Sequence, residues 1–196
     1  MKETEQRHHA EANSRIAFVG DSITAAGDWG TWFPNDSVAN LGISGDTSDD
    51  VLARLAEIVE YDPHEICLLV GTNDLGAGHS VEHLVRNLEL LLVELRRELP
   101  EVRLLVQSIM PRGKEFADRL HESNIHLRQF APTVHALYLD LWPALAGDDG
   151  ALRSEYSDDE LHLTRKGYEA WLAVVRPALA ELRTMPPTGS ADFTVS

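Results

Sequence analysis

Residues 15–22 read Arg-Ile-Ala-Phe-Val-Gly-Asp-Ser, and this stretch decides the fold class. A short run of consecutive apolar side chains ended by glycine is typical of a strand that is buried on both faces. Strands of that kind occur in parallel sheets that helices cover on both sides. The residues that end the run, Gly20-Asp21-Ser22, are predicted to turn the chain out of the sheet.

Apolar runs alternate with amphipathic segments along the rest of the chain. Predicted strands cover residues 15–19, 37–41, 65–70, 102–109 and 134–139. Predicted helices run from a cap at Thr47 or Ser48 to Val59, from a Ser80 cap to about 99, from 116 to 130 and from 166 to 183. This alternation implies right-handed crossovers. We predict a three-layer αβα doubly wound sheet of about five parallel strands in the flavodoxin-like order 2-1-3-4-5.

One domain accounts for most of the 196 residues. We place it at residues 15–184, between a polar tail at 1–14 and a flexible tail at 185–196. No apolar run reaches the length of about 18 residues that a membrane span needs. The first residues lack the apolar segment of a secretory signal, which predicts a cytoplasmic protein. The lone Cys67, inside an apolar run, is predicted to be a buried core residue.

The charge balance restricts the partners. Seventeen basic side chains oppose 32 acidic ones, for a net charge of −15, which disfavours nucleic acids and anionic membrane surfaces. The glycine-rich patterns of nucleotide-binding loops are missing, so no cofactor is predicted. Because Thr24 stands where a second glycine would follow the serine, the Gly-x-Ser-x-Gly pattern of α/β-hydrolases is missing too.

Small polar residues stand where the predicted strands end. In a doubly wound sheet, ligands bind beyond the carboxyl ends of the strands, at the switch between strands 1 and 3. Three segments follow strands 1, 2 and 3: Gly20-Asp21-Ser22-Ile23-Thr24, Asn40-Leu41-Gly42-Ile43-Ser44-Gly45-Asp46-Thr47 and Gly71-Thr72-Asn73-Asp74. A fourth, Asp159-Glu160-Leu161-His162-Leu163-Thr164, precedes the last helix. Each segment alone is ordinary loop material. Their order and their predicted convergence favour a common site.

These four segments resemble the sequence blocks of the SGNH hydrolase superfamily, the GDSL-type esterases and lipases. The resemblance covers residues 15–183, and residues 41–55 and 110–113 are similar to platelet-activating-factor acetylhydrolase catalytic subunits and their bacterial relatives. Ile23 departs from the leucine of the family name. The resemblance implies a nucleophile at Ser22, a catalytic Asp-x-x-His pair at Asp159 and His162, and oxyanion donors at Gly45 and Asn73.

The chemistry of these residue types agrees with the implied roles. A serine hydroxyl becomes nucleophilic when a neutral imidazole accepts its proton, and a carboxylate fixes the tautomer of that imidazole. Asp158 stays open as an alternative to Asp159 for this carboxylate. The backbone N–H of Ser22 adds a third oxyanion donor. Further side chains that support the site or contact substrate are predicted at Asp21, Asp46, Asp74 and Arg112.

The predicted function is hydrolysis of short acyl esters, above all acetyl esters of a small molecule or carbohydrate, through an acyl-enzyme. Two alternatives stay open: a lysophospholipase or acyl thioesterase on the same site, and a non-catalytic binding module. A homo-oligomer also stays open. Trp29, Trp32 and Phe33 line either the substrate pocket or the core.

A second pattern, His79-Ser80-Val81-Glu82-His83, matches the His-x-x-Glu-His sequence of one group of zinc peptidases. That pattern needs both histidines on one helical face. Ser80 is the natural helix cap, which leaves His79 before the helix begins. We therefore predict no metal site.

Overall fold

Five strands form one parallel sheet in the order β2-β1-β3-β4-β5. The computed structural model describes residues 14–186, so the predicted tails lie almost entirely outside it and stay predictions. The strands are β1 (Arg15–Gly20), β2 (Ser37–Gly42), β3 (Glu65–Leu69), β4 (Arg103–Gln107) and β5 (Ala136–Leu139). Each neighbouring pair is parallel. The predicted fold class and strand order are confirmed, although β4 and β5 are shorter than predicted.

Nine α-helices connect or flank the described strands. They are α1 (Ser22–Ala25), α2 (Trp29–Trp32), α3 (Ser48–Ala53), α4 (Leu55–Glu60), α5 (Thr72–Gly76), α6 (Val81–Glu98), α7 (Ala117–Phe130), α8 (Trp142–Leu145) and α9 (Arg165–Thr184). The predicted caps are in place: Thr47 accepts a hydrogen bond from Asp50 N, and Ser80 from His83 N. Within residues 14–186, no helix is long and apolar enough to cross a membrane.

The two faces of the sheet carry separate cores, because successive side chains of a strand point to opposite faces. Ala17 and Val19 of β1 join one buried cluster, in which α6 contributes Leu84, Leu88, Leu91 and Leu95. Ile16 and Phe18 join the other, in which α9 contributes Trp171, Leu172, Val175 and Leu179. The sheet is therefore the middle layer of three. Cys67 of β3 is 1% exposed, and its burial raises the pKa of the thiol.

The aromatic residues after the first block belong mainly to the core. The Trp29 ring stacks on Phe18, with ring centroids 3.8 Å apart, and meets Trp171 edge-on. Trp29 is 1% exposed and Phe33 is 9% exposed, while Trp32 is partly buried against Tyr168. Trp29 and Phe33 therefore belong to the core and not to a substrate pocket.

The predicted helix from Thr47 to Val59 is two helices, α3 and α4, which meet at Arg54. The Arg54 backbone leaves the helical region there (φ −106°, ψ 20°). Its guanidinium lies 2.7 Å from a carboxylate oxygen of Asp46 and donates to the Leu41 carbonyl at 2.8 Å. The helix therefore breaks at an inward-facing arginine, where the apolar spacing of residues 51–59 predicts one continuous helix.

Candidate functional site

Ser22 is the first residue of α1, and only Asp21 separates it from the end of β1 at Gly20. Asp21 caps this helix, since its Oδ1 accepts a hydrogen bond from Ile23 N at 3.0 Å. Gly20 is required because a Cβ there would lie 2.2 Å from the carbonyl oxygen of Leu69 and 2.3 Å from Thr24 Oγ1. The short turn therefore places the Ser22 side chain at the carboxyl edge of the sheet.

A continuous hydrogen-bonded chain links the hydroxyl, the imidazole and one carboxylate. Ser22 Oγ lies 3.0 Å from His162 Nε2, and His162 Nδ1 lies 2.7 Å from Asp159 Oδ2. The two loops that supply these groups are 140 residues apart in the chain. Asp159, and not the adjacent Asp158, is the carboxylate that contacts the ring. The distances are those of a nucleophile, a base and an orienting group within reach of one another.

The Asp159 carboxylate is held by several donors besides the ring. Its Oδ1 accepts from His162 N at 2.7 Å, from Leu161 N at 3.0 Å and from Ser157 Oγ at 3.1 Å. Glu160 adopts a left-handed backbone (φ 61°), which closes the tight turn between the carboxylate and these N–H groups. The side-chain contact with His162, and then these bonds, hold the pKa of Asp159 well below its ordinary value. The Asp159 carboxylate therefore stays ionised and can accept a hydrogen bond from the His162 ring.

The candidate oxyanion donors come from the ends of β1, β2 and β3. Ile43 N donates to the Gly20 carbonyl at 3.0 Å, which joins the second loop to the first. Asn73 Nδ2 donates to the Asp46 carbonyl at 2.9 Å, which joins the third loop to the second. That bond uses one amide hydrogen of Asn73 and leaves the other available. Across residues 14–186, the backbone N–H groups of Ser22 and Gly45 have no hydrogen-bond partner.

Gly45 is needed for its backbone conformation. Its φ is 89°, a region that residues with a side chain rarely adopt. A Cβ at this position would meet no protein atom within 4 Å, so crowding by the protein is not the reason for glycine. The positive φ of this turn is therefore the reason for glycine.

The four predicted supporting side chains act within the protein. Buried Asp46 binds Arg54, and fully buried Asp74 accepts from the amide (2.9 Å) and hydroxyl (2.5 Å) of Ser48. Asp21 caps α1, as described above. Arg112 donates to the Thr72 carbonyl at 3.1 Å and covers the Phe116 ring at 3.9 Å from its centroid. All four therefore position loops that carry candidate catalytic groups.

Three residues of the site lay outside the sequence prediction. Arg54 joins Asp46 to the end of β2, and Ser157 helps to hold Asp159. Tyr168 Oη donates to the Ile23 carbonyl at 2.6 Å and so fixes the turn that carries Ser22. The one signal for Arg54 is a basic residue inside an apolar helical stripe. The other two contacts join segments whose pairing no local pattern reveals.

Burial raises the pKa of Asp21 from 3.8 to about 6, against opposing effects of the Ile23 N–H and His162. A carboxyl with a raised pKa in the folded state contributes stability that is present below the unfolded pKa. That contribution is lost as pH rises through about 6, because the buried group then ionises.

Asp21→Asn is therefore expected to raise the free energy of unfolding at pH 8 by up to about 3 kcal/mol relative to the unsubstituted protein. The asparagine oxygen can still cap α1, without the buried charge. Near pH 3.5 the difference should vanish. Urea unfolding of both proteins at several pH values measures this difference in the free energy of unfolding. A difference that does not change between pH 4 and pH 8 would contradict the raised pKa of Asp21.

Comparisons with known proteins identify the family and the fold of this chain. The family model of the GDSL-like Lipase/Acylhydrolase family matches residues 18–170. Platelet-activating factor acetylhydrolase IB subunit alpha1 from Bos taurus is 28% identical over 182 residues, which cover 86% of this chain and 76% of the bovine protein.

Solved structures share the fold. A GDSL-like lipase from Bacteroides thetaiotaomicron has a TM-score of 0.72 at 21% identity, covering 92% of this chain and 97% of its own. A mutant acetyl-xylooligosaccharide esterase from Geobacillus Stearmophilus has a TM-score of 0.68 at 19% identity, with coverages of 86% and 94%. At these identities the structural likeness establishes the architecture alone.

Proposed function

Since this chain belongs to the GDSL-like lipase/acylhydrolase family and is a carboxylic ester hydrolase, we propose that it hydrolyses short acyl esters, above all acetyl esters, through Ser22, His162 and Asp159. The observation that carries the proposal is the chain of contacts from Ser22 Oγ through the His162 ring to Asp159, at 3.0 and 2.7 Å. This geometry lets one imidazole accept and return the proton that acyl transfer requires.

The reaction follows from these positions. His162 Nε2 accepts the hydroxyl proton as Ser22 Oγ attacks the ester carbonyl, and the negative charge moves to the carbonyl oxygen. The N–H groups of Ser22 and Gly45 and the amide of Asn73 stabilise that oxygen. His162 then protonates the departing alcohol, which leaves an acyl group on Ser22. Water, deprotonated by His162, attacks this ester, and the acid departs as Ser22 regains its proton.

Three observations favour a short acyl group and a small or carbohydrate alcohol. The side chains of His162 and Asp159 are 50% and 55% exposed, so the reacting groups lie at an open surface rather than in a deep apolar groove. The net charge of −15 disfavours anionic lipid surfaces. Two of the compared proteins, the bovine acetylhydrolase and the acetyl-xylooligosaccharide esterase, are named for acetyl groups.

The acyl preference is tested with p-nitrophenyl esters of increasing chain length and with acetylated sugars. We expect kcat/KM to fall sharply from acetate to octanoate. A preference for octanoate, or for lysophospholipids or acyl thioesters, would replace the acetyl proposal with one of those activities on the same residues. Labelling by a fluorophosphonate probe tests the activated serine itself, because a binding module would leave the probe unreacted.

Asn73→Ala is expected to lower kcat by about 10²- to 10³-fold, the usual cost of removing one oxyanion donor. KM should change little, because the lost bond forms mainly in the transition state. The matched control is Asn35→Ala, in the exposed loop before β2. Since Asn73 also binds the Asp46 carbonyl, melting temperatures of both variants are needed. Unchanged kcat in folded Asn73→Ala would remove this side chain from the proposed oxyanion hole.

A further inference from the structure

Two histidines and two aspartates meet on the side of the sheet that α6 covers. Asp49 lies in α3, Asp74 in α5, His79 just before α6 and His83 in its first turn. One potential ligand atom from each residue lies within 4.8 Å of the other three. His79 does precede the helix, as the Ser80 cap predicts. The two rings nevertheless meet, with centroids 4.8 Å apart.

The separations suit a small four-coordinate cation. His83 Nε2 lies 2.7 Å from Asp49 Oδ2, and His79 Nδ1 lies 3.8 Å from both Asp49 Oδ2 and Asp74 Oδ1. Ligands about 2.0 Å from a tetrahedral ion lie roughly 3.3 Å from one another. The observed distances lie on either side of that value, so small side-chain rotations would bring the four ligand atoms into a tetrahedral arrangement around one ion.

One ring nitrogen of this cluster, His79 Nδ1, lacks a hydrogen-bond partner among the described residues. This nitrogen is shielded from solvent. It points between two carboxylates that are too distant for a hydrogen bond. A buried polar atom of this kind is costly unless something satisfies it. A bound cation would do so, since the nitrogen lone pair and both carboxylates would then share it.

The surrounding side chains hold the carboxylates in place. Asn87 Nδ2 donates to Asp49 Oδ1 at 2.8 Å and to Ser48 Oγ at 3.0 Å, and Ser48 N donates to Asp74 Oδ2 at 2.9 Å. Asp49 Oδ2, the oxygen nearest both histidines, contacts His83 Nε2 at 2.7 Å, and a bound cation would replace that contact. His83 and Asn87 hold the pKa of Asp49 below its ordinary value. Such outer contacts orient ligands at metal sites.

We propose that Asp49, Asp74, His79 and His83 form a binding site for Zn²⁺ that is separate from the hydrolytic site. Two imidazole nitrogens and two carboxylate oxygens are ligands that zinc accepts, and the two carboxylates balance its charge. The ion would join α3, α5 and the start of α6. Asn73, one of the candidate oxyanion donors, precedes Asp74 in α5, so the site braces a loop of the proposed active site.

The test uses full-length protein without an affinity tag, freed of metal by a chelator and titrated with zinc sulfate in a calorimeter. We expect one Zn²⁺ per chain and a melting temperature raised by about 5–10 °C when free zinc is about 100 times the dissociation constant. His79→Gln and His83→Gln should each weaken binding by more than the roughly 10- to 100-fold cost of losing an outer contact.

The matched controls are His126→Gln, on the exposed face of α7, and the double variant His8→Gln/His9→Gln. Both should bind zinc as the unsubstituted protein does. Circular dichroism of every variant establishes that it is folded. The proposal is overturned if the unsubstituted protein binds no zinc at about 100 µM, a concentration typical of weak sites, or if folded His79→Gln and His83→Gln bind it undiminished. Since the readouts are binding and melting, loss of esterase activity would not affect the result.

Discussion

Ser22→Ala is expected to lower the hydrolysis of p-nitrophenyl acetate by at least about 10⁴-fold, the largest effect of any single substitution in this chain. The alanine has no oxygen to attack the ester, so the acyl-enzyme cannot form. The oxyanion donors and His162 remain, and they support only slow attack by water. Initial rates over a range of substrate concentrations measure the loss in kcat.

The fold should survive this substitution. The hydroxyl of Ser22 contacts His162 at a partly exposed position, and the cap on α1 comes from Asp21. Ser154→Ala, at an exposed turn, is the matched control and should keep full activity. Full activity in folded Ser22→Ala would end the proposal for this nucleophile, and so would fluorophosphonate labelling of that variant as strong as that of the unsubstituted protein.

Asp159→Asn is expected to lower kcat by about 10⁴-fold. Asparagine retains an oxygen, yet its amide can donate to His162 Nδ1 and favour the tautomer whose Nε2 carries the proton. Such a ring cannot accept the proton of Ser22. KM should change little because the carboxylate faces the ring, 2.7 Å away, on the side opposite Ser22.

Asp158→Asn provides a control of identical chemistry one residue away. Asp158 is exposed, and the contacts to the ring come from Asp159. We therefore expect nearly full activity in Asp158→Asn. If instead Asp158→Asn lost as much activity as expected for Asp159→Asn, the orienting role would pass to Asp158, the alternative that the sequence left open.

The order of the sheet and the segments at its carboxyl edge were predictable because they depend on local patterns. The buried run at β1, the Ser80 cap and the small residues after each strand are all readable within a few positions. The strand-order rule then brings Ser22 and Asn73 to the same edge without any knowledge of contacts.

The contacts of Arg54 and of the two histidines could not be predicted, because the residues that make them are far apart in the sequence. Arg54 looks like an interruption of an apolar stripe until Asp46 and the Leu41 carbonyl are seen beside it. The helical spacing of His79 and His83 indicates nothing about Asp49, which lies 34 residues before His83 and completes their cluster. In each case the decisive partner is remote in the chain, and a periodic pattern carries no information about it.

The buried thiol of Cys67 can be used to measure unfolding of the protein. It is the single thiol of the chain, in the central strand β3, where solvent reagents cannot reach it. A disulfide reagent such as dithionitrobenzoate therefore reacts only when the sheet separates, and the rate of colour formation follows that separation. The reaction rate of this thiol therefore compares the global unfolding of Ser22→Ala, Asp159→Asn and the other variants without an added label.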